Sequence, residues 1–383
     1  MAPTVASMAV TLGALTDDPH RIWHSLRATG PIVWVEALGG WAVIGREAAI
    51  EVMRDDETFT VDDPRFSTAQ VIGSSMLSTD GAEHERHRGP FGAAFLRREG
   101  MQDLEAKTAE AARRLVEGLR PARRAELRTE LAGPLAVEVI TGALGLVDVD
   151  QAAVLVWYRQ IVAEVEAISS GETARQGGRE AFRDLLAAVD RTIRHLPAGL
   201  LGAASRSQSV EEVASNAAVM MFGAIETSEG ATANALAHLL SNPELLGSVK
   251  DQPDLLASVV EESMRLEPAA ASVHRYATRD TEKFGARIRA GDFVDVSLSA
   301  ANRDPEVFPQ PDKLDPGRPN LRRHVTFAHG PHACLGIHLA RLETTLGVQA
   351  VLEGLPSVTL VNGADVAPRG LVFRKPPAVQ VCW

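Results

Sequence analysis

Cys334, one of only two cysteines in the chain, lies in a loop that is rich in glycine and histidine. The loop runs from Phe327 to Gly336, and a helical pattern follows it directly from Ile337 to Val351. Unpaired backbone N–H groups and the positive end of the helix dipole favour an anion at such a position. This environment lowers the pKa of a thiol, and the thiolate is the form that binds a metal. The sequence therefore predicts a metal-binding thiolate at Cys334.

Three interpretations of this cysteine remain open from the residues alone. A free cysteine is commonly a buried structural residue. Zinc is a second interpretation because His324, His329 and His332 are crowded together with Cys334, although their spacing matches none of the usual zinc patterns. The third interpretation is haem iron held by a cysteine thiolate.

An acid and an alcohol, Glu226 and Thr227, interrupt the longest helical pattern of the chain, Ser209 to Leu240. Polar side chains inside an apolar helix cost free energy unless they have partners or a function. In a structural role, the threonine would bond back to a carbonyl one turn earlier, and this interpretation also stays open. Gly223 and Ala224 precede the pair and would leave space beside the helix.

Both stretches resemble segments of the cytochrome P450 family. The loop matches the family's cysteine-ligand signature, F-x-x-G-x-H-x-C-x-G, at every fixed position: Phe327, Gly330, His332, Cys334 and Gly336. Residues 223–228 resemble its oxygen-activation segment, A/G-G-x-D/E-T-T/S. Ala224 replaces the commoner glycine there, which affects the width of the groove but leaves the acid and the alcohol intact.

The resemblance implies a haem b cofactor (iron protoporphyrin IX) with Cys334 as the metal ligand. Four basic residues are implied to hold its propionates: His84, Arg88, Arg275 and His332. Four further positions are implied to contact the cofactor: Ala224, Phe327, Gly330 and Gly336. Thr227 and Glu226 are implied to be catalytic, because in the family this pair steers protons to dioxygen.

His84 and Arg88 lie within a basic helical stretch, Glu83 to about Leu119. They are one helical turn apart on one face, so their donors suit a pair of carboxylates. A solvated charged face is the simpler interpretation of such a stretch. The family's H-x-x-x-R segment favours propionate binding instead. The resemblance likewise implies a structural triad of Glu262, Arg265 and Arg318.

The expected fold is mainly α with small β-sheets, in a single cytochrome P450 domain. We expect a β-rich part at about 30–60, a helical core at about 80–270, and sheets, a meander and the Cys loop at 270–383. The haem would lie between the long helix, about 209–240, and the helix after the Cys loop. Phe59 to Ser78 is rich in Asp, Ser, Pro and Gly, which predicts a long loop over the pocket.

Composition is that of an ordinary globular protein, with 383 residues, 45% hydrophobic and 23% charged. Two cysteines cannot form a disulfide framework, which fits a reducing compartment. The net charge of −11 argues against nucleic acid or anionic membrane as the main partner. The N-terminus carries no convincing signal or anchor. We therefore expect a cytoplasmic protein, monomeric and without a membrane association.

The resemblance implies a haem-thiolate monooxygenase that inserts one atom of O2 into a small apolar organic substrate. The chain lacks a cysteine set for an iron–sulfur cluster, so a ferredoxin or flavodoxin with its reductase is expected to supply electrons. Five arginines are the expected dock for such an acidic partner: Arg86, Arg97, Arg98, Arg322 and Arg323. The alternatives are oxidative aromatic coupling or peroxide-driven oxidation in the same fold, and a haem-binding sensor without turnover.

Overall fold

The computed structural model describes residues 10–95, 98–169 and 177–383, and most of them are helical. The helices are Leu12–Asp17 (α1), Pro19–Leu26 (α2), Arg46–Arg54 (α3), Ser67–Ile72 (α4), Gly81–Phe95 (α5), Arg98–Leu119 (α6), Gly133–Leu144 (α7), Gln151–Ser169 (α8), Gly177–His195 (α9), Leu200–Ala204 (α10), Val210–Leu240 (α11), Pro243–Asp251 (α12), Leu256–Leu266 (α13), Leu298–Ala301 (α14) and Ile337–Gly354 (α15). The strands are Ile32–Val35 (β1), Gly40–Val43 (β2), Phe59–Thr60 (β3), Arg124–Glu126 (β4), Ser272–Ala277 (β5), Thr281–Lys283 (β6), Ala286–Ile288 (β7), Phe293–Ser297 (β8), Thr359–Leu360 (β9) and Gln380–Cys382 (β10).

The described chain forms two compact units. The first unit comprises the chain up to Thr60, Glu261–Ala333 and Ala367–Pro377. The second unit comprises Val61–Val260, Cys334–Val366 and Ala378–Trp383. That the whole chain is a single domain stays a prediction.

The first unit is built on a five-stranded sheet with the order β1-β2-β8-β5-β3. Its β1–β2 pair is an antiparallel hairpin within the β-rich part expected at about 30–60, with Trp34 opposite Trp41. Gly39 closes the turn in the left-handed conformation, with a φ of 61°, which glycine adopts without steric cost. Parallel pairing of β2 with β8 buries Val43 and Val296 in one core with α3.

The second unit is organised around α11, which packs against α7, α9 and α15. Ser209 and Glu212 form a capping box at the start of α11: the Ser209 hydroxyl accepts from the Glu212 N–H at 3.2 Å, and the Glu212 carboxylate accepts from the Ser209 N–H at 2.8 Å. Most of the helix is buried, so tertiary packing supports its 31 residues. A small sheet, β4-β10-β9, completes the unit.

One element prediction needs correction. The stretch Phe59 to Ser78 is not a continuous loop, because it contains β3 and the short helix α4, which buries Val71 and Ile72. The basic stretch after Glu83 is helical as predicted, over α5 and α6. Within the described ranges, no helix is long and apolar enough to cross a membrane.

Candidate active site

The Cys loop leads into α15 as the sequence predicts, with Gly336 at the position before the first helical residue. Burial raises the pKa of the Cys334 thiol, while a bond from the Gly336 N–H and the charges of Arg88 and Arg341 lower it. The predicted lowering by the helix start is therefore wrong for the protein alone, because burial is the larger effect. The thiol nevertheless keeps an exposed surface. An enclosed but accessible thiol is suited to face a bound group.

Backbone geometry explains one of the two loop glycines. Gly330 has a φ of 75°, and a Cβ there would lie 2.3 Å from the Met53 carbonyl oxygen. Only glycine fits this position. Gly336 has a φ of −84°, which any residue adopts. A Cβ at Gly336 would lie 3.9 Å from the sulfur of Cys334, so this glycine borders the thiol without being required by the backbone.

His84 and Arg88 both lie on α5, as predicted, and both belong to the second unit together with Cys334. The His84 side chain is buried. Burial lowers the pKa of Arg88, and the negative charge of the Cys334 thiolate opposes this effect. The structure therefore brings the Arg88 guanidinium and the Cys334 thiol into electrostatic range of each other.

The predicted cofactor contacts Arg275, His332 and Phe327 belong to the first unit. Arg275 is buried on β5 and donates to the His274 carbonyl oxygen at 2.7 Å. His332 is half-buried in the Cys loop. The Phe327 ring packs against His324, with their centroids 6.0 Å apart. Their cofactor-binding roles stay predictions.

The middle of α11 borders an open space. Gly223 is exposed although Met221 and Ile225 on either side are buried, and no atom outside the helix backbone lies within 4 Å of a Cβ placed at Gly223. Ala224 packs against the apolar core of this unit. The Thr227 hydroxyl donates back to the Gly223 carbonyl oxygen, which is the bond of the structural interpretation. Gly223 and Thr227 together form a polar edge beside this space.

Glu226 has a partner that the sequence did not indicate. The Tyr158 hydroxyl, on α8, donates a hydrogen bond to the Glu226 carboxylate. One turn further along α11, Glu229 pairs with Arg128 at 2.7 Å. Tyr158 and Glu226 are far apart in sequence and belong to no common motif, so no sequence signal links them.

Sequence reasoning also missed Glu343 on α15, which is hydrogen-bonded with Ser228 of α11. Burial raises the pKa of Glu343 to about 8, and a hydrogen bond with Ser228 opposes this rise. The side chain is therefore mostly protonated at neutral pH. Helical periodicity offered a signal, because Leu339, Glu343 and Gly347 share one face of α15 and are all buried.

The zinc interpretation gains no support from the structure. His324 pairs with Glu261, with Nε2 and Oε1 3.0 Å apart. No group of three or more His, Cys, Asp or Glu side chains is placed to hold a metal ion within the described part of the chain. The single thiol of Cys334 is a donor set that suits haem iron better than structural zinc.

Comparison with known proteins establishes the family. A family model described as Cytochrome P450 matches residues 190–382. The chain is 32% identical to the cytochrome P450 monooxygenase PikC of Streptomyces venezuelae, over 98% of this chain and 93% of that protein. The chain belongs to the cytochrome P450 family. It is accordingly a haem-containing monooxygenase.

Solved P450 structures share the whole architecture. The crystal structure of CalO2 superposes with a TM-score of 0.86 at 29% identity, covering 96% of both chains. A myxobacterial cytochrome P450, CYP267B1, solved in complex with myristic acid, gives a TM-score of 0.84 at 29% identity, covering 97% of this chain and 98% of that one. The predicted P450 fold, mainly α with small sheets, is therefore confirmed.

The residues of the second unit fit a haem. The P450 cofactor needs one thiolate ligand, and Cys334 offers an enclosed thiol with an exposed surface. The anionic cofactor edge needs cations, and Arg88 lies near that thiol. Dioxygen and substrate need space, and α11 leaves it open at Gly223.

Proposed function

We propose that the protein binds haem b between α11 and α15, the helix that follows the Cys loop, and hydroxylates, or similarly oxidises, an apolar organic substrate. Overall, O2, two electrons and two protons are consumed; one oxygen atom enters a substrate C–H bond and the other leaves as water. The proposal rests on the Cys334 thiol, which is enclosed by protein yet accessible. A spectral titration of the purified protein with candidate ligands, starting with myristic acid, tests whether apolar molecules displace water from the iron.

Cys334 is the residue that would bind the haem iron through its thiolate. When bound, the haem supplies the redox chemistry that activates O2, and a thiolate ligand favours O–O cleavage. His84 and Arg88 are proposed to hold the propionates by charge-assisted hydrogen bonds. Such bonds are about twice as strong as hydrogen bonds between neutral groups. Arg275 and His332 are proposed to do the same.

Thr227 and Glu226 are the proposed proton-delivery pair. The Thr227 hydroxyl and the Gly223 carbonyl it bonds lie at the edge of the open space beside α11. A hydroxyl there can hold a water or pass on a proton, and a neighbouring carboxylate can supply it. Product formation requires two protons for each O2. If proton delivery is lost, O2 is released as hydrogen peroxide and no product forms.

Thr227→Ala is expected to lower product formed per NADPH at least about fivefold, because a positioned proton donor contributes a factor of about 10² or more. Thr227→Ser keeps the hydroxyl and is the matched control, with near wild-type coupling expected. The measurement compares NADPH consumed, hydrogen peroxide released and product formed, using a substrate found in the spectral titration. Unaltered coupling in the alanine variant would favour peroxide-driven oxidation or aromatic coupling.

A haem sensor without turnover is the remaining alternative. It has no need of an adjacent acid and alcohol on α11, whereas this chain carries Glu226 and Thr227 in that helix. A sensor would bind ligands in the spectral titration but consume no NADPH with a ferredoxin and its reductase. Steady NADPH consumption under O2 therefore excludes it.

We further propose that an acidic electron carrier docks on a cationic patch of the first unit, formed by Arg46, Arg54, Arg322, Arg323 and His329. Burial is the main cause of the lowered pKa of Arg46, and the charge of Arg323 lowers it further. Burial is also the main cause of the lowered pKa of His329, and the charges of Arg54 and Arg46 lower it further. These charges therefore lie close together. Arg54, Arg322 and Arg323 are exposed. Arg322 and Arg323 shortly precede the Cys loop in the chain, and His329 lies within it.

The predicted docking set is corrected in part. Arg86 is not an available cation, because its guanidinium pairs with Glu83 at 2.8 Å and Glu212 at 2.6 Å. Arg97 lies outside the described residues, and the side chain of Arg98 is likewise outside the description. The proposal therefore concentrates on the patch that contains Arg322 and Arg323.

Reversing two charges in this patch, Arg322→Glu with Arg323→Glu, is expected to slow reduction by a ferredoxin about tenfold at low ionic strength, because complementary charge accelerates association. The difference should shrink as salt screens the charges. Stopped-flow reduction under carbon monoxide measures the rate. Arg287→Glu, which reverses an arginine that is 88% exposed on β7, is the control. An equal rate in the double variant and the control would remove the docking proposal.

A further inference from the structure

One face of α11 is turned towards α8, and it carries Phe222, Glu226 and Glu229 at helical spacing. The Tyr158 ring packs against Phe222, with ring centroids 6.4 Å apart and an interplanar angle of 44°. Its hydroxyl reaches one turn further and donates to the Glu226 carboxylate. Tyr158 therefore contacts one face of α11 at two points: its ring packs against Phe222, and its hydroxyl binds the Glu226 carboxylate.

The phenol is fixed as a donor. Burial, followed by the charges of Glu226, Glu229 and Glu166, raises the pKa of Tyr158 far above its ordinary value. The hydroxyl consequently keeps its proton at every pH at which the enzyme works. Glu229 on the same face is paired with Arg128 at 2.7 Å, so the two carboxylates have separate partners.

Thr227 lies on the adjacent face, about 100° around the helix from Glu226. Its hydroxyl borders the open space at Gly223, whereas the Glu226 carboxylate is held on the side of α8. The Tyr158 hydroxyl is hydrogen-bonded to that carboxylate from α8. A misplacement of about 1 Å in a reacting group can reduce a rate about 10²-fold.

We propose that Tyr158 is a positioning residue for proton delivery, acting by anchoring the Glu226 carboxylate beside Thr227. The inference rests on the proposed function of Glu226 and Thr227. It adds a residue from a different helix, α8, which acts through the Glu226 carboxylate. It also makes the placement of α8 against α11 a determinant of oxygen chemistry.

Tyr158→Phe removes one oxygen atom and keeps the ring against Phe222. We expect NADPH consumption under O2, measured with a ferredoxin and its reductase and without organic substrate, to fall at least about threefold, since a hydrogen bond to a charged group is lost. The ratio of rates in H2O and D2O should rise, because proton transfer becomes more rate-limiting. Anaerobic reduction by the same ferredoxin should stay unchanged. Tyr276→Phe is the matched control, since Tyr276 is the other of the two tyrosines and lies on β5.

Glu226→Gln, alone and combined with Tyr158→Phe, separates positioning from general structural damage. If Tyr158 acts through Glu226, adding Tyr158→Phe to Glu226→Gln causes no further change in rate or isotope effect. The inference about Tyr158 is overturned, and the proposed role of Glu226 kept, by either of two results. One is an equal loss of rate when Tyr158→Phe is added to the wild-type protein and to Glu226→Gln. The other is a Tyr158→Phe variant with the wild-type rate while Glu226→Gln is slow. A Glu226→Gln variant with wild-type rate and isotope effect overturns the proposed proton role of Glu226 and the inference together. Haem content and the carbon monoxide spectrum verify that each variant is folded.

Discussion

Cys334→Ser is expected to abolish the thiolate-type carbon monoxide spectrum and all monooxygenase turnover. A serine hydroxyl stays protonated where a thiol can ionise, and it cannot donate electron density to iron as a thiolate does. Burial raises the pKa of the Cys334 thiol, so the metal itself must favour the deprotonated form. The Gly336 N–H and the charges of Arg88 and Arg341 act in the same direction and are available to stabilise that thiolate.

Cys382→Ser is the matched control, because Cys382 is the only other cysteine and lies on β10. It should retain the wild-type spectrum and turnover. Both variants are measured by haem content, by the spectrum of the reduced carbon monoxide complex and by NADPH consumption under O2. A Cys334→Ser protein with the wild-type spectrum would show that another residue binds the iron, and the proposed active site would then be abandoned.

The parts of the site that could be predicted from sequence are those encoded locally. The Cys loop carries its own constraint, since Gly330 must be glycine for Met53 to approach it. The start of α11 is fixed by the reciprocal bonds of Ser209 and Glu212. The place of His84 on a helix face follows from spacing. In each case the residues concerned are neighbours in sequence or belong to a continuous motif.

The parts that could not be predicted depend on contacts between distant segments. Burial of Cys334 reverses the pKa effect expected from a helix start, and burial is a property of the packed unit. The Arg86 charge is neutralised by Glu212, which lies on another helix. The bond from Tyr158 to Glu226 likewise joins two helices without any shared motif. Polar partners of this kind are chosen by tertiary packing, which leaves no periodic trace in the sequence.

The triad of Glu262, Arg265 and Arg318 has the geometry that the resemblance implied. Glu262 and Arg265 are fully buried and paired at 2.7 Å, and Arg318 reaches the same carboxylate at 2.8 Å. The two guanidinium groups also donate to backbone carbonyls of the meander, among them that of Lys313. The Asp315 N–H donates to the Glu262 carboxylate at 2.9 Å. One carboxylate thus pairs with two buried cations and fixes the chain between them.

Glu262→Gln is expected to lower the free energy of unfolding by about 3–5 kcal/mol, because it leaves two buried guanidinium groups without a counter-charge. The shape of the side chain is nearly unchanged, so the loss reports on charge. Glu51→Gln is the control: Glu51 pairs with Lys283 at 2.7 Å but is 45% exposed, and surface pairs contribute about 0–1 kcal/mol. Urea unfolding followed by circular dichroism measures both variants. If Glu262→Gln unfolds at the urea concentration of Glu51→Gln, then hydrogen bonds to the meander carbonyls, and not the buried charge of Glu262, hold this region together.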